Sequence, residues 1–288
     1  MVKKIGFLTS SRADIGIYTP LIKALVESKD FRIEAIAFGT HLSPYHGKTI
    51  SQVEALRPAT VHKIHGLLLS DEPEAISNSF GLTLTNFSQF WALNKYDIVL
   101  ALGDRYEMCA AVQAGVPLGV RFAHLHAGET TLGAIDNIYR HQISLSSKIC
   151  FTSTESFRKR LIELLDNNKN IYHVGALGVS DMEQQDLPDW GVIAEKFGLP
   201  KGSFTLSTFH PETVRFRKTG EHVRAVGDYF RWLQKKMHIV ITMPNADTLG
   251  SLFRKEFKNL SREFPERIFT VENLGRLNYF SAIRKSSF

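Results

Sequence analysis

Short runs of apolar residues alternate with longer amphipathic stretches along the first 165 residues of the chain. The runs have the length and continuous hydrophobicity of buried parallel strands, and the stretches between them have helical periodicity. We predict strands at residues 4–9, 32–38, 97–102, 118–125 and 149–152. We predict helices at residues 18–28, 73–94, 106–114, 134–147 and 155–165. This βαβ alternation indicates a doubly wound α/β sheet with right-handed crossovers.

The alternation loosens after residue 175 and then resumes. Residues 181–189 are acidic and polar and carry Pro188, which is typical of a connection between two domains. Beyond them we predict strands at 204–208, 238–242 and 267–271, and helices at 221–236, 249–264 and 277–285. We therefore predict an N-terminal domain at residues 1–178 and a partial C-terminal domain at residues 179–288.

Composition limits the class of protein and its partners. Of 288 residues, 43% are hydrophobic, and no apolar run is long enough to span a membrane. The net charge of +6 favours anionic ligands, but the basic residues are scattered, so we expect neither a nucleic acid nor a membrane partner. Cys109 and Cys150 lack paired spacing, which is typical of free thiols in a reducing compartment and predicts a cytoplasmic location.

Acidic and basic side chains concentrate at predicted strand ends between residues 100 and 141. Asp104 ends one strand, where it could cap the next helix and at the same time point into the crevice at the edge of the sheet. Arg105 beside it could pair with Glu107 or with a ligand phosphate. Glu129 follows another strand, in a loop where it could act as an acid or base. The region therefore predicts ligand chemistry rather than packing alone.

Asp136 and Arg140 are four residues apart on a predicted helix and are therefore neighbours on one face. If Asp136 and Arg140 only form an ion pair at the surface, that pair has no bearing on function. Placed just after Glu129, however, Asp136 could be a second carboxylate that Arg140 keeps ionised and oriented. Two carboxylates with different pKa values could remove a proton from one face of a sugar ring and return it to the other.

A zinc site is a competing interpretation of the same region. His124 and His126 would share one face of a strand, and Glu129 or His141 could complete a ligand set. Motifs of this length recur by accident, and no convincing third ligand follows. We therefore predict no metal.

Polar loops follow three further strands. Residues 10–16 precede a helix whose first turn we expect at Pro20, and Arg12 there could donate to a phosphate. No dinucleotide fingerprint is present, so we expect no such cofactor. His210 and Asn245 lie in loops that could be ordinary turns or could meet a diphosphate or a uracil.

These segments together resemble the hydrolysing UDP-N-acetylglucosamine 2-epimerases of bacterial sialic-acid synthesis and their relatives. The resemblance covers essentially the whole chain in the right order. It is carried by Ser11-Arg12-Ala13-Asp14, Gly103-Asp104-Arg105-Tyr106-Glu107, His124-x-His126-x-Gly128-Glu129, Gly133-Ala134-Ile135-Asp136, Arg140-His141, His210-Pro211-Glu212-Thr213 and Asn245-Ala246-Asp247.

The resemblance implies two Rossmann-like domains in a GT-B-like arrangement, with a UDP-sugar in the cleft. It implies loss of UDP from C1 with proton removal at C2, followed by hydration of the glycal to N-acetylmannosamine, without cofactor or metal. By position it makes Asp104, Glu129, Asp136 and Arg140 the catalytic residues. It makes Arg12, Arg105, His210 and Asn245 the residues that bind UDP, and it suggests a homodimer or homotetramer.

Two departures from the family keep other functions open. Position 127 is Ala where the family often has Gly, and the family continues past residue 288 with a Ser- and Gly-rich loop and a terminal helix. We therefore expect a truncated enzyme with half of its nucleotide-binding residues. The competing hypotheses are a GT-B glycosyltransferase and a nucleotide-sugar-binding fragment without turnover.

Overall fold

Seven short, largely buried segments form one parallel sheet in the first part of the chain. The computed structural model describes residues 2–180, 182, 185–244 and 248–287. The strands of this sheet are β1 (Lys3–Thr9), β2 (Phe31–Phe38), β3 (Thr60–Ile64), β4 (Ile98–Leu102), β5 (Phe122–Leu125), β6 (Ser147–Thr152) and β7 (Ile171–His173). Their order is β3-β2-β1-β4-β5-β6-β7. The direction of winding reverses between β1 and β4, and such a switch point is where open α/β sheets bind ligands.

Helices cover both faces of this sheet. They are α1 (Arg12–Glu27), α2 (Ile50–Glu54), α3 (Pro73–Leu93), α4 (Tyr106–Gly115), α5 (Asp136–Leu145) and α6 (Glu155–Leu165). Successive β1 residues point to opposite faces: Phe7 joins a core with Tyr18 of α1, and Leu8 joins a core with Trp91 of α3. Burial on both faces explains why these strands are continuously apolar in sequence.

The second part of the chain contains a smaller parallel sheet. Its strands are β8 (Phe204–Thr208), β9 (His238–Thr242) and β10 (Ile268–Val271), in the order β10-β9-β8. Its helices are α7 (Trp190–Phe197), α8 (Thr219–Leu233), α9 (Gly250–Glu263) and α10 (Arg276–Lys285). Trp190 stacks on Phe204 on one face, and Phe253 and Phe257 pack on the other.

Contacts divide the chain into two units. The first comprises Met1–Ser70 and Glu74–Glu183, and the second comprises Asp71–Pro73 and Gln184–Phe288. None of the helices in the described ranges has the length and hydropathy that crossing a bilayer requires.

Several sequence predictions need correction. The first helix begins at Arg12, not near Pro20, because Ser11 and Asp14 form a capping box, and Pro20 lies inside the helix. The predicted strand 118–125 is reduced to β5, because the chain first makes a 3₁₀ turn at Val116–Leu118 and a left-handed turn at Gly119. The elements that the pattern missed are β3, β7, α2 and α7.

Candidate active site

The predicted site residues of the first unit lie at the carboxyl ends of adjacent strands. β1 leads into Ser10, β4 into Gly103, β5 into His126 and β6 into Ser153. Because these four strands are neighbours in a parallel sheet, the loops that follow them share one edge.

The loop after β1 is held by the side chain of Asp14. One carboxylate oxygen, Oδ2, accepts hydrogen bonds from the backbone N–H groups of Ser10 (2.6 Å) and Ser11 (3.0 Å), and both serine hydroxyls also donate to this carboxylate. Burial raises the pKa of Asp14, and the hydrogen bonds from Ser10 and the nearby charge of Arg105 partly oppose that rise. Arg12 follows as the first residue of α1. This arrangement fixes the backbone where α1 begins.

A second loop packs tightly on this one. Gly39 has φ +56°, and a Cβ there would lie 2.7 Å from the carbonyl oxygen of Ser10, so the close approach requires glycine. His41 is fully buried and bonds the hydroxyls of Thr9 (2.8 Å) and Thr49 (2.7 Å) through its two ring nitrogens. Burial lowers the pKa of His41 to about 4, so the ring is neutral at pH 7.

The loop after β4 carries Asp104 and Arg105, whose side chains have different partners. The Arg105 guanidinium makes a two-point pair with the buried Glu107, with Nε at 3.2 Å and Nη2 at 3.1 Å from the carboxylate oxygens. This is one of the two pairings that the sequence allowed. The hypothesis that Asp104 caps the following helix is wrong, because the N-cap of α4 is Arg105 and has no side-chain cap.

The two histidines after Ala123 have different surroundings. His124 is fully buried, and its ring bonds the Ser144 hydroxyl (2.9 Å) and the Gly103 carbonyl (2.7 Å). Burial lowers its pKa to about 3. His126 lies beyond the end of β5 in a left-handed conformation with φ +61°. The predicted shared strand face of His124 and His126 is therefore wrong.

Protein contacts already occupy three of the four ring nitrogens of His124 and His126, on which the zinc interpretation depends. Both ring nitrogens of His124 already bond to protein groups, and His126 Nδ1 bonds to Glu129. In the part of the chain that the structure describes, no group of three or more His, Cys, Asp or Glu side chains could hold a metal ion.

Glu129 accepts hydrogen bonds from two sides. Its Oε1 atom accepts from Ser153 Oγ (2.5 Å) and from His126 Nδ1 (2.7 Å), and its Oε2 atom lies 3.6 Å from Arg140 Nη1. Partial burial alone would raise the pKa of Glu129. The hydrogen bonds from His126 and Ser153 and the charge of Arg140 outweigh burial and hold the pKa below its ordinary value. Glu129 is therefore ionised at pH 7.

Arg140 brings two of the predicted carboxylates together. Its side chain is 6% exposed, and Nη2 donates to Asp104 and Nη1 to the His126 carbonyl (2.6 Å), while Nη1 also faces Glu129. Among the described residues, the buried Nε atom has no hydrogen-bond partner. Asp104 and Glu129, from the loops after β4 and β5, thus share one guanidinium.

Asp136 is the first residue of α5, one turn before Arg140. The loop before it is held by the Asn137 side chain, which bonds the backbone of Thr131 and Ala134. Burial raises the pKa of Tyr139, and the charge of Asp136 raises it further. The predicted role of Asp136 stays a prediction.

The predicted site residues of the second unit are less well defined. His210 is exposed and follows β8. Asn245 lies outside the described residues. The role of each in binding UDP stays a prediction.

Neither Ser153 nor the pairing of His126 with Glu129 was predicted from the sequence. Ser153 follows β6 directly and occupies the same place after its strand as Gly103 does after β4. The rule that strand ends carry the site could have found Ser153. The His126 contact depends on a left-handed turn that strand periodicity does not reveal.

Comparison with known proteins shows the family of this chain. The sequence profile of the UDP-N-acetylglucosamine 2-epimerase family matches residues 23–288. The chain belongs to this family. The resemblance inferred from the motifs is thereby confirmed.

Members of the family with assigned functions are similar over nearly the whole chain. The GDP/UDP-N,N'-diacetylbacillosamine 2-epimerase (hydrolyzing) of Campylobacter jejuni is 30% identical over 98% of this chain and 73% of its own length. The UDP-N,N'-diacetylbacillosamine 2-epimerase (hydrolyzing) of Legionella pneumophila is 30% identical over 99% of this chain and 75% of its own.

A solved structure shares the fold. The Neisseria meningitidis UDP-GlcNAc 2-epimerase bound to UDP-GlcNAc superposes with a TM-score of 0.76, at 15% identity, over 98% of this chain and 76% of that one. The predicted α/β fold class is confirmed.

Proposed function

We propose that this chain catalyses the hydrolysing 2-epimerisation of a UDP-linked acetamido sugar. The observation that carries the proposal is the pairing of Asp104 and Glu129 with the single guanidinium of Arg140 at the switch-point edge of the sheet. Family membership supplies the reaction class, since relatives of this chain are hydrolysing 2-epimerases.

The reaction needs a base, an acid and a water molecule. A base takes the C2 proton, the C1–O bond to UDP breaks, and the electron pair of the C–H bond forms the glycal double bond. Water then adds its hydroxyl to C1, and C2 receives a proton on the opposite face. The products are UDP and the free 2-epimer, which is N-acetylmannosamine if the substrate is UDP-N-acetylglucosamine.

The proposed catalytic residues are Asp104, Glu129, Asp136 and Arg140. Glu129 is ionised at pH 7, as the residue that removes the C2 proton must be. Asp104 and Asp136 are the candidates for returning a proton to C2. Arg140 holds two carboxylates close together, and its charge offsets the repulsion between them. No metal or cofactor is needed in this scheme.

The proposed UDP-binding residues are Arg12, Arg105, His210 and Asn245. Support comes from the start of α1, where the helix dipole attracts phosphate next to Arg12. Arg105 is near enough to the same loop for its charge to oppose the rise in the pKa of Asp14. A cytoplasmic location, a homodimer or homotetramer, the GT-B-like arrangement and the domain boundary at residue 178 remain predictions.

The sugar is an acetamido sugar, and two candidates follow from the relatives. We expect turnover with UDP-N-acetylglucosamine or with UDP-N,N'-diacetylbacillosamine, the substrates that appear in the names of similar proteins. The protein is incubated with each UDP-sugar, and the products are identified by chromatography and NMR. The sugar that is turned over should give UDP and one free 2-epimer.

Matched variants test the assignment. Glu129→Gln and Asp104→Asn should abolish product, whereas Glu155→Gln, at an exposed position on α6, should leave turnover unchanged. UDP release only when an acceptor is added would instead favour a glycosyltransferase. UDP binding without any product would favour a fragment that does not turn over.

A further inference from the structure

The two oxygens of Glu129 have different surroundings. Oε1 accepts two short hydrogen bonds, from Ser153 Oγ at 2.5 Å and His126 Nδ1 at 2.7 Å. We propose that Ser153 and His126 are positioning residues that fix this carboxylate so that Oε2 is the atom that takes the substrate proton. The inference rests on the proposed function, in which Glu129 is the base. It adds the two residues that orient the Glu129 carboxylate and the oxygen atom that accepts the proton.

Hydrogen-bond capacity explains why Oε2 is the reactive oxygen. A carboxylate oxygen has two lone-pair sites, and two donors at these distances fill both sites of Oε1. Oε2 lies 3.6 Å from Arg140 Nη1, which is an ion-pair distance beyond ordinary hydrogen-bond range. Oε2 therefore keeps lone pairs available for a proton.

His126 is held at both ends. Its carbonyl oxygen accepts a 2.6 Å hydrogen bond from Arg140 Nη1, while its ring Nδ1 faces Glu129. Nδ1 is the donor in the second contact, because an ionised carboxylate can only accept. His126 also occupies the left-handed region, which costs backbone energy and persists only where surrounding contacts hold it. Such a residue aims its ring with little freedom to move.

The turn that presents His126 is locked by its neighbour. Gly128 has φ +76°, and a Cβ there would lie 2.6 Å from the Phe157 carbonyl oxygen on α6. The Ala127 N–H also donates to the Phe151 carbonyl of β6, at 3.0 Å. The turn is thus fastened to the same strand whose end supplies Ser153.

Four ionisable groups surround Glu129 and bear on its titration. They are His126 in its own loop, Arg140 on α5, Asp104 beyond Arg140, and His124 in the core below. His124 has a pKa of about 3 and stays neutral through the working range. Ser153 carries no charge, so replacing it changes hydrogen bonding to Glu129 and leaves the surrounding charges in place.

Ser153→Ala removes one donor to the ionised form of Glu129. The pKa of Glu129 should rise, because that donor favours the charged carboxylate. We expect the acid limb of the kcat/KM profile to move upward by about one pH unit, with KM changed less than about two-fold. Ser153→Thr keeps the hydroxyl and should restore the profile.

His126 is tested with a matched pair. The amide of His126→Asn occupies the place of Nδ1, supplies a donor to Oε1 and tolerates positive φ. His126→Ala has no donor. We expect His126→Asn to keep most of kcat and His126→Ala to lose it, with circular dichroism and melting temperature confirming that both fold.

A readout without turnover separates this inference from the proposed function. The carboxyl signal of Glu129 can be assigned by ¹³C NMR as the signal that Glu129→Gln lacks, and its titration midpoint should be higher in Ser153→Ala than in wild type. An unchanged midpoint would overturn the positioning role. A raised midpoint with an unchanged pH–rate profile of an active enzyme would overturn Oε2 of Glu129 as the proton acceptor. Absence of turnover in wild type, with the midpoint still raised, would reject the proposed function alone.

Discussion

Arg140 on α5 donates a hydrogen bond to the carboxylate of Asp104, which follows β4 and lies 36 residues earlier in the chain. Helical spacing suggested Asp136 as the residue that Arg140 orients. In the structure the guanidinium joins the loops after two neighbouring strands, β4 and β5. Arg140 therefore links these two loops.

Replacing Arg140 should destabilise the first unit. Arg140→Met leaves Asp104 and Glu129 without their cation, and we expect a loss of roughly 3 kcal/mol in the free energy of unfolding, the lower end for a broken buried ion pair. The lower end applies because both carboxylates are about one-fifth exposed. Urea unfolding at pH 7 measures it.

An exposed ion pair provides the control for Arg140. Lys63 pairs with Glu54 at 2.9 Å, and both side chains are about half exposed. Lys63→Met should leave stability unchanged, because solvent screens such pairs. Equal effects of Arg140→Met and Lys63→Met would show that Arg140 has no special structural role.

The turn after β5 should depend on Gly128. Gly128→Ala combines a left-handed backbone with a Cβ 2.6 Å from the Phe157 carbonyl oxygen, whereas Gly119→Ala has a left-handed backbone and open space. We expect Gly119→Ala to cost about 1 kcal/mol and Gly128→Ala to cost more and to lower turnover, because the backbone must shift under Glu129. Similar unfolding free energies for the two variants would contradict a locked turn.

Buried His41 should make stability fall in acid. Its folded pKa of about 4 lies below the ordinary value of 6.5, so the unfolded chain binds the proton first as pH decreases. The contribution is complete above pH 6.5 and is lost as pH falls from there toward 4. We expect His41→Asn to be less stable than wild type at pH 7 but to lose less stability between pH 6.5 and 4. Parallel curves in urea titrations at several pH values would exclude this role.

The sequence predicted the central strands well, because strands buried on both faces are continuously apolar. The range predicted for β9, residues 238–242, matches the structure, and β9 is the central strand of its sheet. β3 was missed because its Thr60-Val61-His62-Lys63-Ile64 run lies at the edge of the sheet, half exposed and partly polar. A strand that is buried on both faces forms a continuous apolar run, which can be recognised in the sequence.

The sequence predicted residues of the candidate site better than it predicted the contacts between them. Strand ends identified Asp104 and Glu129, since a parallel sheet brings them to one edge. The bonds from Arg140 to Asp104 and from Ser153 to Glu129 join residues 36 and 24 positions apart. Such contacts depend on tertiary packing, which periodicity along a single chain does not encode.

Isotope exchange at C2 addresses the proposed carboxylate chemistry itself. Wild-type protein and Glu129→Gln are incubated in D₂O with UDP-N-acetylglucosamine and, separately, with UDP-N,N'-diacetylbacillosamine, and C2 is followed by ¹H NMR. We predict that the wild type releases a 2-epimer with deuterium at C2 and that Glu129→Gln releases no 2-epimer. A released sugar that keeps its original C2 hydrogen, or equal exchange in the two proteins, would contradict proton removal by Glu129.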